Sequence, residues 1–195
     1  MADDPKMPPC GRRSVFRLGL QRLIEPLAAY VTDRLDVQLP IVRSVLRPPG
    51  ALPETAFLKT CYRCGNCVDV CPAKAIRTLS AAEPDCTGTP YIDPDLAACV
   101  ICDQLACIKA CPSGALKTVQ SPGHIRLGTA SWKEEACLRS TGEACTACVD
   151  RCPIGPSAIS LNQRGRIEIR AGTCVGCGTC QFYCPASPKA IQTEP

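Results

Sequence analysis

Short stretches in which apolar and polar residues alternate recur along the C-terminal part of the chain. The clearest alternation lies in 158–161 and 166–170, on either side of the turn sequence Asn-Gln-Arg-Gly at 162–165. This pattern predicts a β-hairpin. We predict a second hairpin from 116–119 and 124–127 around Ser121-Pro122-Gly123, and a weaker strand over 89–92.

The N-terminal quarter has a different pattern, with apolar residues at helical spacing over 12–46 and breaks expected near Pro26 or Pro40. This spacing predicts one or two amphipathic helices. A Pro-rich stretch follows and marks a boundary. We therefore predict a helical arm over 1–47, a linker over 48–55 and one domain over 56–195. No run of 18 apolar residues occurs, so no transmembrane helix is expected.

Cysteine changes this picture, because the chain holds 18 cysteines but only 3 Phe, 4 Tyr and 1 Trp in 195 residues. Sixteen of the cysteines form four sets of four, and each set ends in Cys-Pro. Thiols two residues apart do not pair in ordinary disulfide geometry, and an unbroken run of four with a trailing proline is not a zinc-ribbon layout. Iron–sulfur ligation is therefore favoured over a disulfide scaffold and over zinc.

The first set has the spacing C-x2-C-x2-C-x3-C-P, which holds a [4Fe–4S] cluster in bacterial ferredoxins, the fourth cysteine ligating the neighbouring cluster. The fourth set repeats this spacing, and the second and third sets are expanded. Glycines within the sets, Gly65, Gly176 and Gly178, are expected to let the backbone turn tightly and aim amides at cluster sulfurs. The predicted ligands are Cys61, Cys64, Cys67, Cys71, Cys99, Cys102, Cys107, Cys111, Cys137, Cys145, Cys148, Cys152, Cys174, Cys177, Cys180 and Cys184.

The repeat itself predicts the fold. We expect an α+β class built of tandem bacterial-ferredoxin-like dicluster units, in which clusters replace most of the hydrophobic core, preceded by the helical arm. After each Cys-Pro comes a short apolar exit: Ala75-Ile76, Ala115-Leu116, Ala158-Ile159 and Ala190-Ile191.

The pairing of the sets follows from their spacing. The end sets match and the middle sets are both expanded, which predicts two nested halves, first with fourth and second with third. Adjacent pairing, first with second and third with fourth, remains open. Cys10 and Cys86 are expected to be free thiols. The nested pairing predicts four clusters, on Cys61, Cys64, Cys67 and Cys184; on Cys174, Cys177, Cys180 and Cys71; on Cys99, Cys102, Cys107 and Cys152; and on Cys137, Cys145, Cys148 and Cys111.

Charge and the remaining chemistry point to electron transfer rather than catalysis. The formal charge of +4 becomes about −4 once four clusters of about −2 each are bound, while residues 1–50 are basic. Such an arm is suited to an anionic membrane or partner surface, or to packing on the acidic body. No Gly-rich phosphate loop is present, and the single histidine, His124, is expected to be structural. We predict no catalytic residue.

With these motifs the chain resembles the NapG/MauM type of four-cluster ferredoxins, which is associated with periplasmic nitrate reductase and methylamine utilisation. The type is related to the iron–sulfur subunits that connect molybdenum oxidoreductases to membrane quinone proteins. The resemblance rests on the cysteine sets and on 47–54 (Arg-Pro-Pro-Gly-Ala-Leu-Pro-Glu), 88–91 (Gly-Thr-Pro-Tyr) and 111–116 (Cys-Pro-Ser-Gly-Ala-Leu).

The resemblance implies the nested pairing, four [4Fe–4S] clusters, and a subunit that relays single electrons between a membrane quinone-linked partner and a redox enzyme. The alternatives are a diffusing polyferredoxin shuttle, a catalytic subunit with an open iron site, and a scaffold whose clusters do not change oxidation state. No nucleic-acid partner is expected. The expected location is the cytoplasm, with peripheral membrane contact through the arm. A periplasmic location through a degenerate twin-arginine signal at Arg12-Arg13 is the alternative.

Overall fold

The computed structural model describes residues 45–80 and 86–195. The helices predicted before residue 45 lie outside the described residues, as does Cys10. The described part of the chain is built from very short helices and strands, which is the mixed helix and small-sheet architecture expected from the repeat.

Within the described residues, one α-helix has two turns and four have a single turn. The longest begins after Pro53, with Glu54 in its first turn and Lys59 in its last, which complements the helix dipole. The helices are α1 (Glu54–Thr60), α2 (Asn66–Asp69), α3 (Ala106–Lys109), α4 (Ala147–Asp150) and α5 (Thr179–Phe182). Single 3₁₀ turns span Pro122–His124, Glu134–Ala136, Leu138–Thr141 and Gly155–Ser157.

Six strands form three antiparallel two-stranded ladders in the described residues. The strands are β1 (Ile76–Thr78), β2 (Pro90–Ile92), β3 (Thr129–Trp132), β4 (Ile159–Leu161), β5 (Ile167–Ile169) and β6 (Ile191–Glu194), and they pair as β1–β2, β3–β6 and β4–β5. The registers place Ile76 opposite Ile92, Trp132 opposite Ile191 and Ile159 opposite Ile169. Three of the four apolar exits after Cys-Pro therefore begin or enter a strand.

The hairpin predicted over 158–170 is confirmed as β4–β5. Its turn is held by the Asn162 side chain, whose Oδ1 accepts hydrogen bonds from the backbone N–H of Arg164 at 2.9 Å and of Arg166 at 3.0 Å. The strand predicted over 89–92 is also confirmed, as β2.

The hairpin predicted over 116–127 is wrong, because both of its arms find other backbone partners. Leu116 bridges Ala51, and the N–H of Lys117 donates to the carbonyl of Gly50 at 2.7 Å. The N–H of Leu127 donates to the carbonyl of Val175 at 2.9 Å. The stretch between them is a 3₁₀ turn over Pro122–His124, and His124 is exposed with its Nδ1 2.7 Å from the Ser121 hydroxyl.

The boundary predicted between a 1–47 arm and a 48–55 linker also differs from the structure. Leu46 and Arg47 are buried at 3% and 0% exposure, Pro48 and Pro49 are fully buried, and Leu46 bridges Ile92. Prolines that pack against the body, rather than spacing it from the arm, make this stretch part of the globular domain. The described body therefore begins by residue 46.

Arg47 is the anchor of this stretch. Its guanidinium donates to the Glu54 carboxylate, with Nη2 2.5 Å from Oε1, and its Nη1 donates to Thr89 Oγ1 at 2.9 Å and to the Pro90 carbonyl at 2.8 Å. The same guanidinium lies 4.9 Å from the centroid of the Phe57 ring. A buried charge is stable only when it is paired and hydrogen-bonded, and these contacts fulfil that condition.

Cysteines form part of the hydrophobic core. The largest buried cluster joins Phe57, Ile76, Ile125 and Leu127 with the buried thiols Cys67, Cys71, Cys107 and Cys177. Two smaller clusters lie around Ile159 and around Ala190. Few aromatic residues are needed because so much of the interior surrounds sulfur.

Candidate iron–sulfur cluster sites

The four cysteine sets share one local structure. The third cysteine of each set lies in a one-turn helix, α2, α3, α4 or α5, and the fourth follows directly after the residue that caps this helix. One helical turn rotates the fourth side chain away from the first three. The structure therefore provides a reason for the crossover of the fourth ligand.

Left-handed backbone curves each of these loops. Gly65, Gly176 and Gly178 have φ of 81°, 68° and 80°, so the tight turns predicted at these glycines are present. Arg63 and Ile101 adopt the same conformation with φ of 55° and 49°, although each costs roughly 1–2 kcal/mol in this region. Backbone of this kind turns consecutive N–H groups toward one concavity, a feature of iron–sulfur sites.

Three cavities are each lined by four cysteines. They contain about 380, 350 and 320 Å³ of space free of protein atoms, part of it open to solvent. The first is lined by Cys61, Cys64, Cys67 and Cys111, the second by Cys152, Cys174, Cys177 and Cys180, and the third by Cys137, Cys145, Cys148 and Cys184. Thiols that surround a space fit a ligand with a volume of its own.

The remaining four cysteines also interact with one another. The charge of Cys71 acts on the thiols of both Cys99 and Cys107, and that of Cys102 acts on Cys107. These four, which line none of the three cavities, are the first three cysteines of the second set and the fourth of the first set; Cys99 is also acted on by Cys177 of the fourth set. Within the described residues no three His, Cys, Asp or Glu side chains are placed to hold a single metal ion.

These groups differ from the nested pairing predicted from the spacing. That pairing placed Cys184 with Cys61, Cys64 and Cys67, whereas Cys111 lines their cavity. It placed Cys71 with the fourth set, but Cys152 lines the cavity of that set. It placed Cys152 with the second set, but Cys71 lies with that set. It placed Cys111 with the third set, but Cys184 lines the cavity of that set. The structure brings the sets together in the adjacent pairing.

Chain connectivity explains the difference. Helices α2 and α3 of the first and second sets pack together, as do α4 and α5 of the third and fourth. The connections from Cys71 to Cys99 and from Cys152 to Cys174 are 27 and 21 residues long. Closing a short loop costs less conformational entropy than closing one of about a hundred residues, and consecutive units are usually neighbours in space.

The two pairs of sets meet through the second and fourth sets. The N–H of Cys99 donates to the carbonyl of Cys177 at 3.0 Å, and Thr179 Oγ1 donates to the carbonyl of Cys99 at 3.3 Å. Gln181 Nε2 donates to Asp95 Oδ1 at 2.9 Å. The four thiol groups are therefore contiguous, in the order first, second, fourth, third.

Burial dominates the acidity of the thiols. It raises the pKa of Cys67 and of Cys99 to about 12, and the pKa of Cys107 and of Cys148 to about 11, with neighbouring thiols adding to the effect. Burial also raises the pKa of Cys180. Such thiols keep their protons at neutral pH until a metal replaces them, so binding of iron would release protons.

Hydrogen bonds to the sulfurs act against this burial. Burial alone would raise the pKa of Cys111, but hydrogen bonds from the Ser113 hydroxyl and from nearby backbone N–H groups lower it overall. The N–H of Arg63 lies 3.4 Å from Cys61 Sγ, and that of Ala190 lies 3.4 Å from Cys184 Sγ. Donors of this kind stabilise negative charge on sulfur, whether as thiolate or within a cluster.

The described cysteines are all free thiols. Cys86 is half-buried, and its carbonyl accepts hydrogen bonds from the N–H and the hydroxyl of Thr89.

Two features of the sites were not predicted from the sequence. Arg63, Ile101 and Leu105 adopt left-handed backbone although none of them is a glycine, and Trp132 lines the third cavity. The pairing of Trp132 with Ile191 spans 59 positions, so no local pattern indicates it.

Comparison with known proteins agrees with this chemistry. Residues 60–115 match the 4Fe-4S dicluster domain, a range that holds the first and second sets together. The chain is 39% identical over 198 residues to the methylamine utilization ferredoxin-type protein MauM of Methylophilus methylotrophus, covering 94% of this chain and 86% of the relative. It is 35% identical over 203 residues to the ferredoxin-type protein NapG of Escherichia coli strain K12, covering 96% and 87%. No helix among the described residues is long and apolar enough to span a bilayer.

Proposed function

The chain belongs to the family of MauM- and NapG-type ferredoxin proteins, and from this premise we propose that it binds four [4Fe–4S] clusters and relays single electrons along them. A ferredoxin-type iron–sulfur electron carrier is what the family and the dicluster domain establish. The number of clusters, their ligands and the partners are our proposal. The observation that carries it is the collection of sixteen thiols into four groups.

We assign the ligands by the adjacent pairing, since the cavities and the extent of the dicluster domain both favour it. The proposed clusters lie on Cys61, Cys64, Cys67 and Cys111; on Cys99, Cys102, Cys107 and Cys71; on Cys174, Cys177, Cys180 and Cys152; and on Cys137, Cys145, Cys148 and Cys184. Each cluster supplies a one-electron couple, and the protein holds the iron, supplies hydrogen bonds and restricts access of water.

The contiguity of the groups supports a linear relay. The first and second groups share charge interactions between Cys67 and Cys107, and the fourth and third share them between Cys180 and Cys148. The hydrogen bond between Cys99 and Cys177 joins the two pairs. An electron would therefore travel through the first, second, fourth and third clusters, in that order or in reverse.

The first-group end of this line is accessible to a partner. At the first group, Cys64 is exposed and Tyr62 is 71% exposed beside it. We propose that one end exchanges electrons with a membrane quinone-linked protein and the other with a redox enzyme, as a subunit of their complex. A diffusing shuttle would use the same ends without stable association, and it is the second candidate because both groups of relatives are named ferredoxin-type proteins.

Substitution of single ligands tests the assignment. Anaerobically reconstituted protein should contain about sixteen irons per chain and four distinct signals in an EPR redox titration. Under the adjacent pairing, Cys111→Ser and Cys64→Ser should alter the same signal, and Cys184→Ser should match Cys145→Ser. If Cys111→Ser matches Cys145→Ser instead, the nested pairing holds; far fewer irons in the unaltered chain would refute the four-cluster proposal.

Truncation tests the subunit role. The truncated chain should begin at residue 45, because removal through 47 would also delete the buried Arg47. We expect it to keep its full iron content but to lose co-purification with its redox partners in pull-downs from the native host. Recovery of every partner at the level of the full chain would favour the shuttle.

A further inference from the structure

The single tryptophan of the chain, Trp132, lies against one of the proposed cluster sites. It ends strand β3, where it pairs with Ile191 of β6. Together with Ile191 it lines the cavity formed by Cys137, Cys145, Cys148 and Cys184.

The indole N–H of Trp132 has no hydrogen-bond partner within the protein although Nε1 is buried from solvent. Among the described residues, one other buried side-chain polar atom shares this state, the hydroxyl of Thr193. A buried donor without an acceptor costs about 1–3 kcal/mol. Such a group in a native protein calls for an acceptor that the polypeptide does not itself supply.

Three features around Trp132 bear on where that acceptor lies. The Arg166 guanidinium, held by an ion pair with Glu134, lies over the ring 5.6 Å from its centroid and so occupies a face rather than the N–H edge. An open surface cleft lined by Asn162 and Arg164 also borders the ring. An N–H directed into that cleft would be hydrated, whereas Nε1 is buried. The cysteine-lined cavity remains.

We propose that the Trp132 indole N–H donates a hydrogen bond to a sulfur of the [4Fe–4S] cluster held by Cys137, Cys145, Cys148 and Cys184, and so raises the reduction potential of that cluster. This inference rests on the proposed ligand assignment. A reduced cluster carries one more negative charge than an oxidised one, so a donor to its sulfur stabilises the reduced form more. With this hydrogen bond, the cluster is easier to reduce than it would be without it.

Isotope labelling of the unaltered protein gives a direct test, because the chain has one tryptophan. Protein grown with ¹⁵N-indole-labelled tryptophan, reconstituted and reduced anaerobically, should show a ¹⁵N hyperfine coupling and a coupled exchangeable proton in pulsed EPR of one cluster. The coupled signal should be the one altered by Cys145→Ser. Four clusters without any such coupling would overturn the inference while leaving the proposed function intact.

Substitution gives the energetic test. Trp132→Phe keeps an aromatic ring under Arg166 and removes the N–H. At a fixed potential, the ratio of the reduced to the oxidised form of the cluster held by Cys137, Cys145, Cys148 and Cys184 should fall threefold to tenfold. A tenfold fall corresponds to about 59 mV for a one-electron couple. The ratios for the other clusters should be unchanged. Arg166→Gln, which retains the N–H, should keep the ¹⁵N coupling. An unchanged ratio in Trp132→Phe with full iron content would overturn the proposal.

Discussion

Gly65 and Gly178 occupy equivalent positions in the first and fourth cysteine sets, and replacing each with alanine measures how tightly its site is packed. Gly65 and Gly178 each lie between the second and third cysteines of sets with the same spacing, and their φ values are 81° and 80°. A Cβ on Gly65 would meet nothing within 4 Å, whereas a Cβ on Gly178 would lie 2.7 Å from side-chain atoms of Pro94. The two sites differ in packing but not in backbone strain.

The expected costs follow from this geometry. Alanine at either position must adopt a left-handed conformation, which costs roughly 1–2 kcal/mol. At Gly178 the methyl group also collides with the buried ring of Pro94, which cannot rotate away, and overpacking of this kind costs about 1–3 kcal/mol more. Gly178→Ala should therefore be less stable than Gly65→Ala by about 1–3 kcal/mol, or about fivefold to 150-fold in an equilibrium constant.

The assay is the decay of visible cluster absorbance in an iron chelator with moderate guanidinium, under anaerobic conditions. Gly178→Ala should lose absorbance faster than Gly65→Ala by up to this factor, because the Pro94 contact is broken before the cluster is released. The first EPR signal to disappear should be the one that Cys177→Ser alters. Equal decay rates within twofold would refute the reasoning, since strain alone would then account for both variants.

Three further outcomes are expected. Glu54→Gln removes the charge opposite the buried Arg47 and should destabilise the protein by about 3–5 kcal/mol. Glu168→Gln, in the exposed pair with Arg170, should destabilise it by less than about 1 kcal/mol. Similar losses of thermal stability in the two variants would contradict the role of burial. Removal of the clusters by acid and chelator should abolish the protease resistance of residues 45–195, because buried thiols form much of the core. Retained protease resistance would show that the core is stable without iron. Ser113→Ala removes the hydroxyl 3.5 Å from Cys111 Sγ and should lower the potential of the cluster altered by Cys64→Ser, as followed by redox titration; a shift in the Cys145→Ser signal instead would contradict the adjacent pairing.

Local patterns in the sequence were sufficient for the local features. The β4–β5 hairpin was predictable because alternation and the turn residues Asn162 and Gly165 act within a dozen positions. The left-handed turns at Gly65, Gly176 and Gly178 were predictable because a cluster loop needs tight backbone and glycine adopts it without strain. The left-handed backbone of Arg63 and Ile101 was not predictable, because the residue types that adopt this strained conformation here are not ones that favour it.

The wrong predictions concern partners that are distant in the sequence. The pattern over 116–127 suits a hairpin, but Leu116 and Leu127 bond to Ala51 and Val175 instead. Prolines at 48 and 49 suggest a linker, but burial of Arg47 against Glu54 and Thr89 draws them into the body. In each case the structure has long-range contacts in place of the arrangement that the local pattern favours.

The sequence by itself determined the chemistry, since the count, spacing and trailing prolines of the cysteine sets are enough to indicate [4Fe–4S] ligation and a ferredoxin-type electron carrier. It did not determine which sets share a cavity, because a crossover ligand has the same spacing whichever neighbour receives it. Only the packing of α2 on α3 and of α4 on α5 distinguishes the adjacent from the nested pairing. The same holds for Trp132, which a strand pairing across 59 residues brings to a cavity that its own neighbours in the sequence do not form.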